Sequence, residues 1–168
     1  AARLAERLLG RAVDAALDSA IGEVVLACAP DTAHAAFAAQ ARRGVSLRPQ
    51  GEGDLGLRMR RAFDEAFAAG ATHAVLIGTD VPALDAATLR RARAALAAAD
   101  AVFVPAFDGG YALIGLRRVE PSLFEGLPWS SAAVMALTRE RLAAVGLAHA
   151  ELPPVHDIDE PADLQHLA

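Results

Sequence analysis

The chain has 168 residues, a net charge of −5 and hydrophobic side chains at 54% of its positions. This length predicts one domain, residues 1–168, large enough to bury a core. The negative charge argues against binding to nucleic-acid backbones, and no apolar stretch is long enough to predict a membrane span. All 16 basic residues are arginine, which excludes a Schiff-base lysine and a P-loop lysine within this sequence. A single cysteine excludes a disulfide framework, and we expect a cytoplasmic protein.

Helical and strand patterns alternate along the chain. Apolar side chains at helical spacing predict helices over residues 2–17, 31–41, 55–69, 85–98, 131–145 and 161–167. Short apolar runs predict strands over residues 23–28, 45–49, 74–77, 101–106, 111–116 and 150–152. Asp85 is expected to cap the fourth helix, Ser130 or Ser131 the fifth, and Asp159 or Glu160 the last. This order is typical of a layered α/β domain with a mostly parallel sheet.

Asp80 follows the apolar run at residues 74–77, which is expected to be a buried strand of that sheet. Open α/β sheets bind ligands at the carboxyl ends of their strands, and Pro82 keeps the residue before it extended. A strand-end Asp suits Mg²⁺, which takes one or two carboxylates plus substrate phosphates. The alternative is that Asp80 caps the next helix, although Asp85 is better placed to do so.

Two other acidic loops follow apolar runs. The Asp108-Gly109-Gly110 sequence indicates either a hairpin turn or a ligand loop whose glycine amides are open to an acceptor. Asp157 and Asp159 are two residues apart and point to the same side in an extended segment, although Asp159 could instead cap a helix. We expect the three acidic loops to converge on one crevice that holds a divalent metal and a phosphorylated ligand.

The glycine-rich segment at residues 50–56 precedes the third helix. Its glycines would let backbone amides approach a ligand near a helix start, which favours anions, but a flexible turn is the alternative. Arg58, in the first helical turn, either reaches a phosphate or lies on a solvated helix face. Trp129, the only tryptophan, either stacks on a substrate or packs under a loop.

Five ordered segments carry a resemblance to a known family. They contain Gly53-Asp54-Leu55-Gly56-x-Arg58-Met59, Ile77-Gly78-Thr79-Asp80-x-Pro82, Pro105-Ala106-x-Asp108-Gly109-Gly110-Tyr111, Pro128-Trp129-Ser130-Ser131 and Asp157-Ile158-Asp159-x-Pro161-x-Asp163-Leu164. Over nearly its whole length the chain resembles the bacterial glycosyltransferase-A-like proteins often called arsenosugar-biosynthesis glycosyltransferase-like. These are relatives of the phospholactate guanylyltransferases and the molybdenum-cofactor nucleotidyltransferases.

The resemblance implies a nucleotide-diphospho-sugar transferase fold, a three-layer sandwich with a nucleotide across the carboxyl edge of the sheet. Asp80 matches the metal-site Asp of the family, and Asp159 matches its second metal-side position. The Gly53 to Gly56 loop matches the segment against the nucleobase or ribose. Family members begin with a strand and a Lys- and Arg-containing phosphate loop that nothing here matches. We therefore expect a first strand and loop upstream of Ala1.

Together these patterns predict a Mg²⁺- or Mn²⁺-dependent transferase that moves a glycosyl or nucleotidyl group from a nucleotide or nucleotide-sugar donor to a small-molecule acceptor. Asp80 and Asp108 are predicted to be catalytic, and Asp80, Asp157 and Asp159 to bind the metal. Substrate binding is assigned to Gly53, Asp54, Leu55, Gly56, Arg58, Thr79, Gly109, Gly110, Tyr111 and Trp129. The alternative is a non-catalytic module that binds nucleotides or sugar nucleotides. An aspartyl phosphatase would need a second Asp where Pro82 stands.

Overall fold

The computed structural model of the chain describes residues 2–157. Its elements, in chain order, are α1 (Ala2–Ser19), β1 (Val25–Cys28), α2 (Ala35–Ala41), β2 (Ser46–Pro49), α3 (Leu55–Ala68), β3 (Ala74–Ile77), α4 (Ala86–Ala95), β4 (Ala101–Pro105), β5 (Tyr111–Leu116), α5 (Val134–Ala144) and β6 (His149–Glu151). A short 3-10 helix, Pro121–Leu123, lies between β5 and α5. The predicted α/β alternation is confirmed over this range. The helix predicted over residues 161–167 and its candidate caps Asp159 and Glu160 lie outside the described residues.

The strands form two sheets. β1 and β2 pair in parallel, and a four-stranded sheet has the order β3-β5-β4-β6. β5 runs antiparallel to β3 and β4, while β6 runs parallel to β4. Three of the four strands of this sheet, β3, β4 and β6, therefore point in one direction, and their carboxyl ends meet at one edge.

The expectation that β3 is a buried strand within a parallel sheet is wrong. Its four residues are half-buried, and it lies at an edge of the four-stranded sheet. Its partner there is the antiparallel β5. Within residues 2–157, no strand joins β3 to the β1–β2 sheet, so β3 lacks a second neighbour that would bury it. The apolar run alone does not distinguish an edge strand from a central one.

Helices cover both faces of the four-stranded sheet. On one face, Met59 and Phe63 of α3 and Leu142 of α5 pack with Phe103 and Ile114 of the sheet. The other face packs against α1 and α4, and its buried residues include Ala15, Leu89, Leu96, Val102 and Leu113. This gives the predicted three layers. Among residues 2–157, no helix combines the length and apolarity needed to cross a membrane.

Two helices begin later than the sequence predicts. α2 begins at Ala35, with His34 as its cap, because Asp31 accepts a hydrogen bond from Ala33 N at 2.8 Å in a separate turn. α5 begins at Val134, and its cap position is Ala133 without a side-chain hydrogen bond, so the prediction of Ser130 or Ser131 as the cap is wrong. Ser130 has a φ of 62°, which differs from the extended backbone of a capping residue.

Candidate functional site

A cleft lies at the carboxyl edge of the four-stranded sheet. It has a volume of about 310 Å³ and is lined by Leu55, Met59, Asp80, Ala106, Asp108, Gly110, Tyr111, Trp129, Ser130, Ser131, Val134 and Asp157. Asp80 follows β3, Asp108 follows β4 and Asp157 follows β6. These three strands point the same way, so the acidic loops that follow them open into one cleft. The predicted convergence of the three loops on one crevice is confirmed for these three residues.

Asp157 reaches the cleft because the chain after β6 continues to follow β4. Leu152 N donates to Phe103 O at 2.8 Å, and Val155 N donates to Pro105 O at 3.0 Å. Phe107 N donates back to Val155 O at 3.1 Å. Residues 152–155 thus extend the parallel pairing past the end of β6. This places Asp157 beside the turn that carries Asp108.

Asp80 lies in the loop after β3 and does not cap the next helix, α4. Asp85 caps α4, where its Oδ1 accepts a hydrogen bond from Thr88 N at 2.7 Å. Hydrogen bonds from the Thr88 backbone and side chain hold the pKa of Asp85 below its usual value. Asp80 instead folds back over Gly78, since a Cβ on that glycine would lie 2.6 Å from Asp80 Oδ1. Asp85 is the cap that the sequence predicted, and Asp80 is a cleft residue.

The glycine-rich segment before α3 is tied to its own helix. Asp54 caps α3 by accepting from Leu57 N at 2.8 Å. Arg58 Nε donates to Gly53 O at 2.9 Å, and Arg61 donates to Glu52 O at 3.0 Å and also to Gln50 O. Both arginines therefore brace this loop.

Of the substrate-binding residues predicted in this segment, Leu55 lines the cleft and is 51% exposed. The others, Gly53, Asp54, Gly56 and Arg58, are not among the described lining residues. Their substrate roles stay predictions. Asp54 lines a different depression of about 340 Å³, whose charged residues Arg60 and Glu125 pair with each other at 2.6 Å. That mutual pairing makes the depression a weaker candidate for an ionic ligand.

The turn between β4 and β5 satisfies its own amides. Gly110 N donates to Asp108 Oδ1 at 2.8 Å, and Gly109 N donates to Ala106 O at 3.1 Å. The expectation that these amides are open to an acceptor is therefore wrong for this arrangement. Gly109, with a φ of 95°, packs directly against the backbone of Ala132, and its carbonyl accepts from Met135 N at 2.9 Å. The turn thus anchors the start of α5 beside the cleft, and Asp108 remains at its surface.

Two aromatic residues line the cleft with unmatched polar atoms. Among residues 2–157, the buried side-chain atoms without a hydrogen-bond partner are Tyr111 OH and Trp129 Nε1. Their rings meet edge to face, with centroids 6.5 Å apart. Burial raises the pKa of the Tyr111 phenol, so it is protonated at neutral pH. Both are predicted substrate residues, and both are placed at the cleft; Thr79, also predicted, is not among the described lining residues.

The comparisons with known proteins agree on the family and the fold. Residues 12–131 match the family described as "Uncharacterized protein conserved in bacteria (DUF2064)". The chain belongs to this family. No curated protein matches this sequence.

A solved structure from Desulfovibrio desulfuricans G20, described as a candidate nucleotide-diphospho-sugar transferase, superposes on this DUF2064 chain with a TM-score of 0.84. The two sequences are 31% identical over 94% of this chain and 70% of the other. The predicted glycosyltransferase-A-like fold class is confirmed by this likeness.

Rv0371c from Mycobacterium tuberculosis H37Rv shares the fold at lower identity. Its structure superposes with a TM-score of 0.58 and 22% identity, over 95% of this chain and 82% of the other. Its complex with manganese gives a TM-score of 0.57 and 21% identity, over 95% and 85% of the two chains. These likenesses support the fold of the DUF2064 chain.

The donor atoms at the cleft suit a hard divalent cation. Asp80, Asp108 and Asp157 offer carboxylate oxygens, which are the ligands that Mg²⁺ and Mn²⁺ prefer. Within residues 2–157, no three acidic, histidine or cysteine side chains stand close enough together to form a complete metal site. The predicted ligand Asp159 lies outside that range. Metal binding by Asp80, Asp157 and Asp159 therefore stays a prediction.

Sequence reasoning missed three parts of the DUF2064 site. Met59 lines the cleft one helical turn after Leu55, and that four-residue spacing was visible in the sequence. Ser130 and Ser131 line the cleft rather than capping α5. Phe107, 60% exposed, stacks on His156 beside the cleft with ring centroids 4.3 Å apart. An exposed aromatic next to a candidate catalytic Asp has no local signal that predicts it.

Proposed function

We propose that this chain is a divalent-metal-dependent transferase that passes a glycosyl or nucleotidyl group from a nucleotide-sugar or nucleotide donor to a small acceptor. One observation carries the proposal: Asp80, Asp108 and Asp157 open into a single cleft at the carboxyl edge of the sheet. Ligands of open α/β sheets bind at this edge. The nucleotide-diphospho-sugar transferase description of the 31%-identical structure supports the donor class.

The carboxylates that line the cleft are the reason for proposing a metal. No arginine or histidine is among the lining residues that the structure describes, and three carboxylates are. A divalent cation binds carboxylate and phosphate oxygens at the same time, so it would join a donor diphosphate to these side chains. The manganese complex of Rv0371c supports a metal of this kind on the same fold.

The described residues fit two different roles. Asp80 and Asp157 would hold the metal together with Asp159, and a divalent cation there would supply Lewis-acid stabilisation of charge on the leaving diphosphate oxygen. Asp108 lies at the surface of the β4–β5 turn, where the bond from Gly110 N orients its carboxylate. It would accept a hydrogen bond from the attacking hydroxyl and so orient the acceptor.

Isothermal titration of the full chain with UDP-glucose, GDP-mannose and CTP, with and without Mn²⁺, tests the proposal. We expect at least one of these donors to bind only with Mn²⁺. Asp80→Asn should weaken that binding by more than about tenfold, the usual effect of losing even an outer partner of a metal site. Asn keeps the size of the side chain and one of its acceptor oxygens, so Asp80→Asn should still unfold in one cooperative thermal transition.

Asp85→Asn is the matched control. It removes a carboxylate that is five residues from Asp80 and outside the cleft lining, and Asn retains the cap of α4. It should leave Mn²⁺-dependent binding unchanged. Equal binding by Asp80→Asn and the parent, or no Mn²⁺-dependent binding of any of the three donors, would contradict the proposal.

A further inference from the structure

Tyr111 and Trp129 combine two features that rarely occur together. Their polar atoms are buried without a partner among residues 2–157, and the same side chains line the acidic cleft. Nearly all buried polar atoms in folded proteins have a hydrogen-bond partner, and each exception costs stability. Both side chains line the cleft although these two atoms are buried, so a ligand whose binding moves the side chains would supply the missing partners.

The cleft wall formed by residues 127–131 also carries backbone strain. Ser130 has a φ of 62°, a conformation that a non-glycine residue seldom adopts. Trp129 precedes it, with Nε1 pressed against Gly56 of α3, where a glycine Cβ would lie 2.6 Å from that nitrogen. Strain of this kind concentrates at ligand sites and switch segments. The unpartnered Nε1 of Trp129 therefore stands next to a residue in an uncommon backbone conformation.

The charges around the wall select among ligands. Asp108 lines the same cleft, so a molecule beside Tyr111 lies near its carboxylate. A neutral hydroxyl group donates to a carboxylate and accepts from a phenol or an indole N–H, so it satisfies both kinds of partner. A carboxylate or phosphate can only accept, and the Asp108 carboxylate repels it.

We propose that Tyr111 and Trp129 recognise the acceptor substrate of this site, and that the acceptor is a neutral polyhydroxylated molecule, a sugar or a polyol. The inference rests on the proposed transferase function. When the acceptor binds, the wall at residues 127–131 shifts and its hydroxyls take the hydrogen bonds that Tyr111 OH and Trp129 Nε1 otherwise lack. The phenol can donate, because a tyrosine hydroxyl carries its proton at neutral pH.

A pair of matched probes tests the charge selection. D-glucose and D-glucuronate share the pyranose ring and differ by a carboxylate at C6. Trp129 is the only tryptophan of the chain, so its emission reports on the wall directly. In buffer without divalent metal, titration of the full chain with D-glucose should change the emission, and D-glucuronate should bind about tenfold more weakly. Equal binding of the two probes, or no binding of D-glucose, would overturn the proposal.

Tyr111→Phe isolates the phenol, since it removes one oxygen and keeps the ring. We expect D-glucose affinity to fall about fivefold, the usual effect of one neutral hydrogen bond. The thermal midpoint should hold or rise, because an unpartnered buried hydroxyl is gone. Thr138→Val is the control: it removes a fully buried hydroxyl that already donates to Val134 O at 2.8 Å, and should leave D-glucose affinity unchanged. Unchanged affinity in Tyr111→Phe would overturn the role of the phenol.

These measurements separate the acceptor site from the metal chemistry. D-glucose binding is measured without metal, whereas the transferase proposal is tested by Mn²⁺-dependent donor binding and Asp80→Asn. D-glucose binding that depends on Tyr111 supports the recognition site, whatever the result for the donor. Normal donor binding by Asp80→Asn would remove only the transferase function. If donor binding depends on Asp80 but D-glucose and D-glucuronate bind equally well, only the acceptor assignment is removed.

Discussion

The α-carbon of Gly56 lies against the indole ring of Trp129. A Cβ at position 56 would approach Nε1 to 2.6 Å and would also collide with the carbonyl oxygen of Phe124. The missing side chain lets α3 touch the wall of the cleft, so Gly56 shapes the cleft by packing. The sequence had suggested that this glycine opens a backbone amide to a nucleotide.

Substitution of Gly56 by Ala should therefore destabilise the protein, although Ala is the better helix former. We expect the free energy of unfolding to fall by about 1–3 kcal/mol, as for other overpacked sites. The control is Gly10→Ala in α1, where a Cβ would meet nothing within 4 Å. That change should raise the free energy of unfolding by about 0.5–1 kcal/mol. Urea denaturation followed by Trp129 emission measures both, and equal stabilities would contradict the close contact.

Local chemistry made part of this fold predictable. The Asp-Gly-Gly turn and its flanking apolar runs predicted the β4–β5 hairpin, because turn residues act over a few positions. Asp85 was identified as a cap because it stands just before an apolar helical pattern. The apolar spacing that predicted the third helix also holds Met59 and Phe63 in the core.

Contacts between distant segments were not predictable in the same way. The pairing of residues 152–155 along β4, which brings Asp157 beside Asp108, follows from a parallel alignment with no local sequence signal. The edge position of β3 depends on its neighbours rather than on its own apolar run. The contact of Gly56 with Trp129 joins positions far apart in the chain. Convergence of the acidic loops was predictable because parallel strands share a carboxyl edge, whereas the burial of Tyr111 OH was not.

Asp85 should contribute to stability in a pH-dependent way. Asp85→Ala is expected to lower the free energy of unfolding by about 1 kcal/mol at pH 7 through loss of the cap. The hydrogen bonds from Thr88 hold the pKa of Asp85 below its usual value, so the folded state favours the charged form. The contribution is complete above the unfolded pKa of about 4 and is lost as pH falls through the lower folded value.

Denaturant titrations of the parent and Asp85→Ala should therefore converge as the pH is lowered from 7 to about 3. Asp85→Asn also lacks the titrating group, so the difference in unfolding free energy between Asp85→Asn and Asp85→Ala should stay constant with pH. A constant gap between the parent and Asp85→Ala at every pH would contradict the charged cap.

The ion pair between Glu151 and Arg139 joins β6 to α5 beside the segment that carries Asp157. Glu151 accepts two hydrogen bonds from Arg139, at 2.7 and 2.8 Å, and these lower the pKa of its carboxyl group. Glu151→Gln should cost about 0.5–1 kcal/mol at pH 7. Because the folded pKa is depressed, this cost should disappear as pH falls below the unfolded value of about 4.3 and through the folded one.

A double-mutant cycle with Arg139→Gln measures the coupling of this pair. The comparison is Asp64→Asn, which alters a longer pair, with Arg60 at 3.6 Å and a more exposed carboxylate, and should cost less than about 0.5 kcal/mol. Additive effects of the Glu151 and Arg139 substitutions would show that the pair contributes no coupling energy.

Asp108 has a structural and a proposed chemical role, and two substitutions separate them. Its Oδ1 accepts from Gly110 N at 2.8 Å, which fixes the turn between β4 and β5. Asn can accept the same bond, so Asp108→Asn should keep the thermal midpoint of the parent, whereas Asp108→Ala should lower the free energy of unfolding by about 1 kcal/mol.

Both Asp108 variants lose the negative charge that would accept a hydrogen bond from the hydroxyl group of the acceptor. We therefore expect D-glucose affinity to fall about tenfold in both, since hydrogen bonds to charged groups are the stronger ones. Calorimetric titration beside a thermal melt measures the two effects on the same samples. Parent-like affinity in Asp108→Asn would reduce Asp108 to a turn residue.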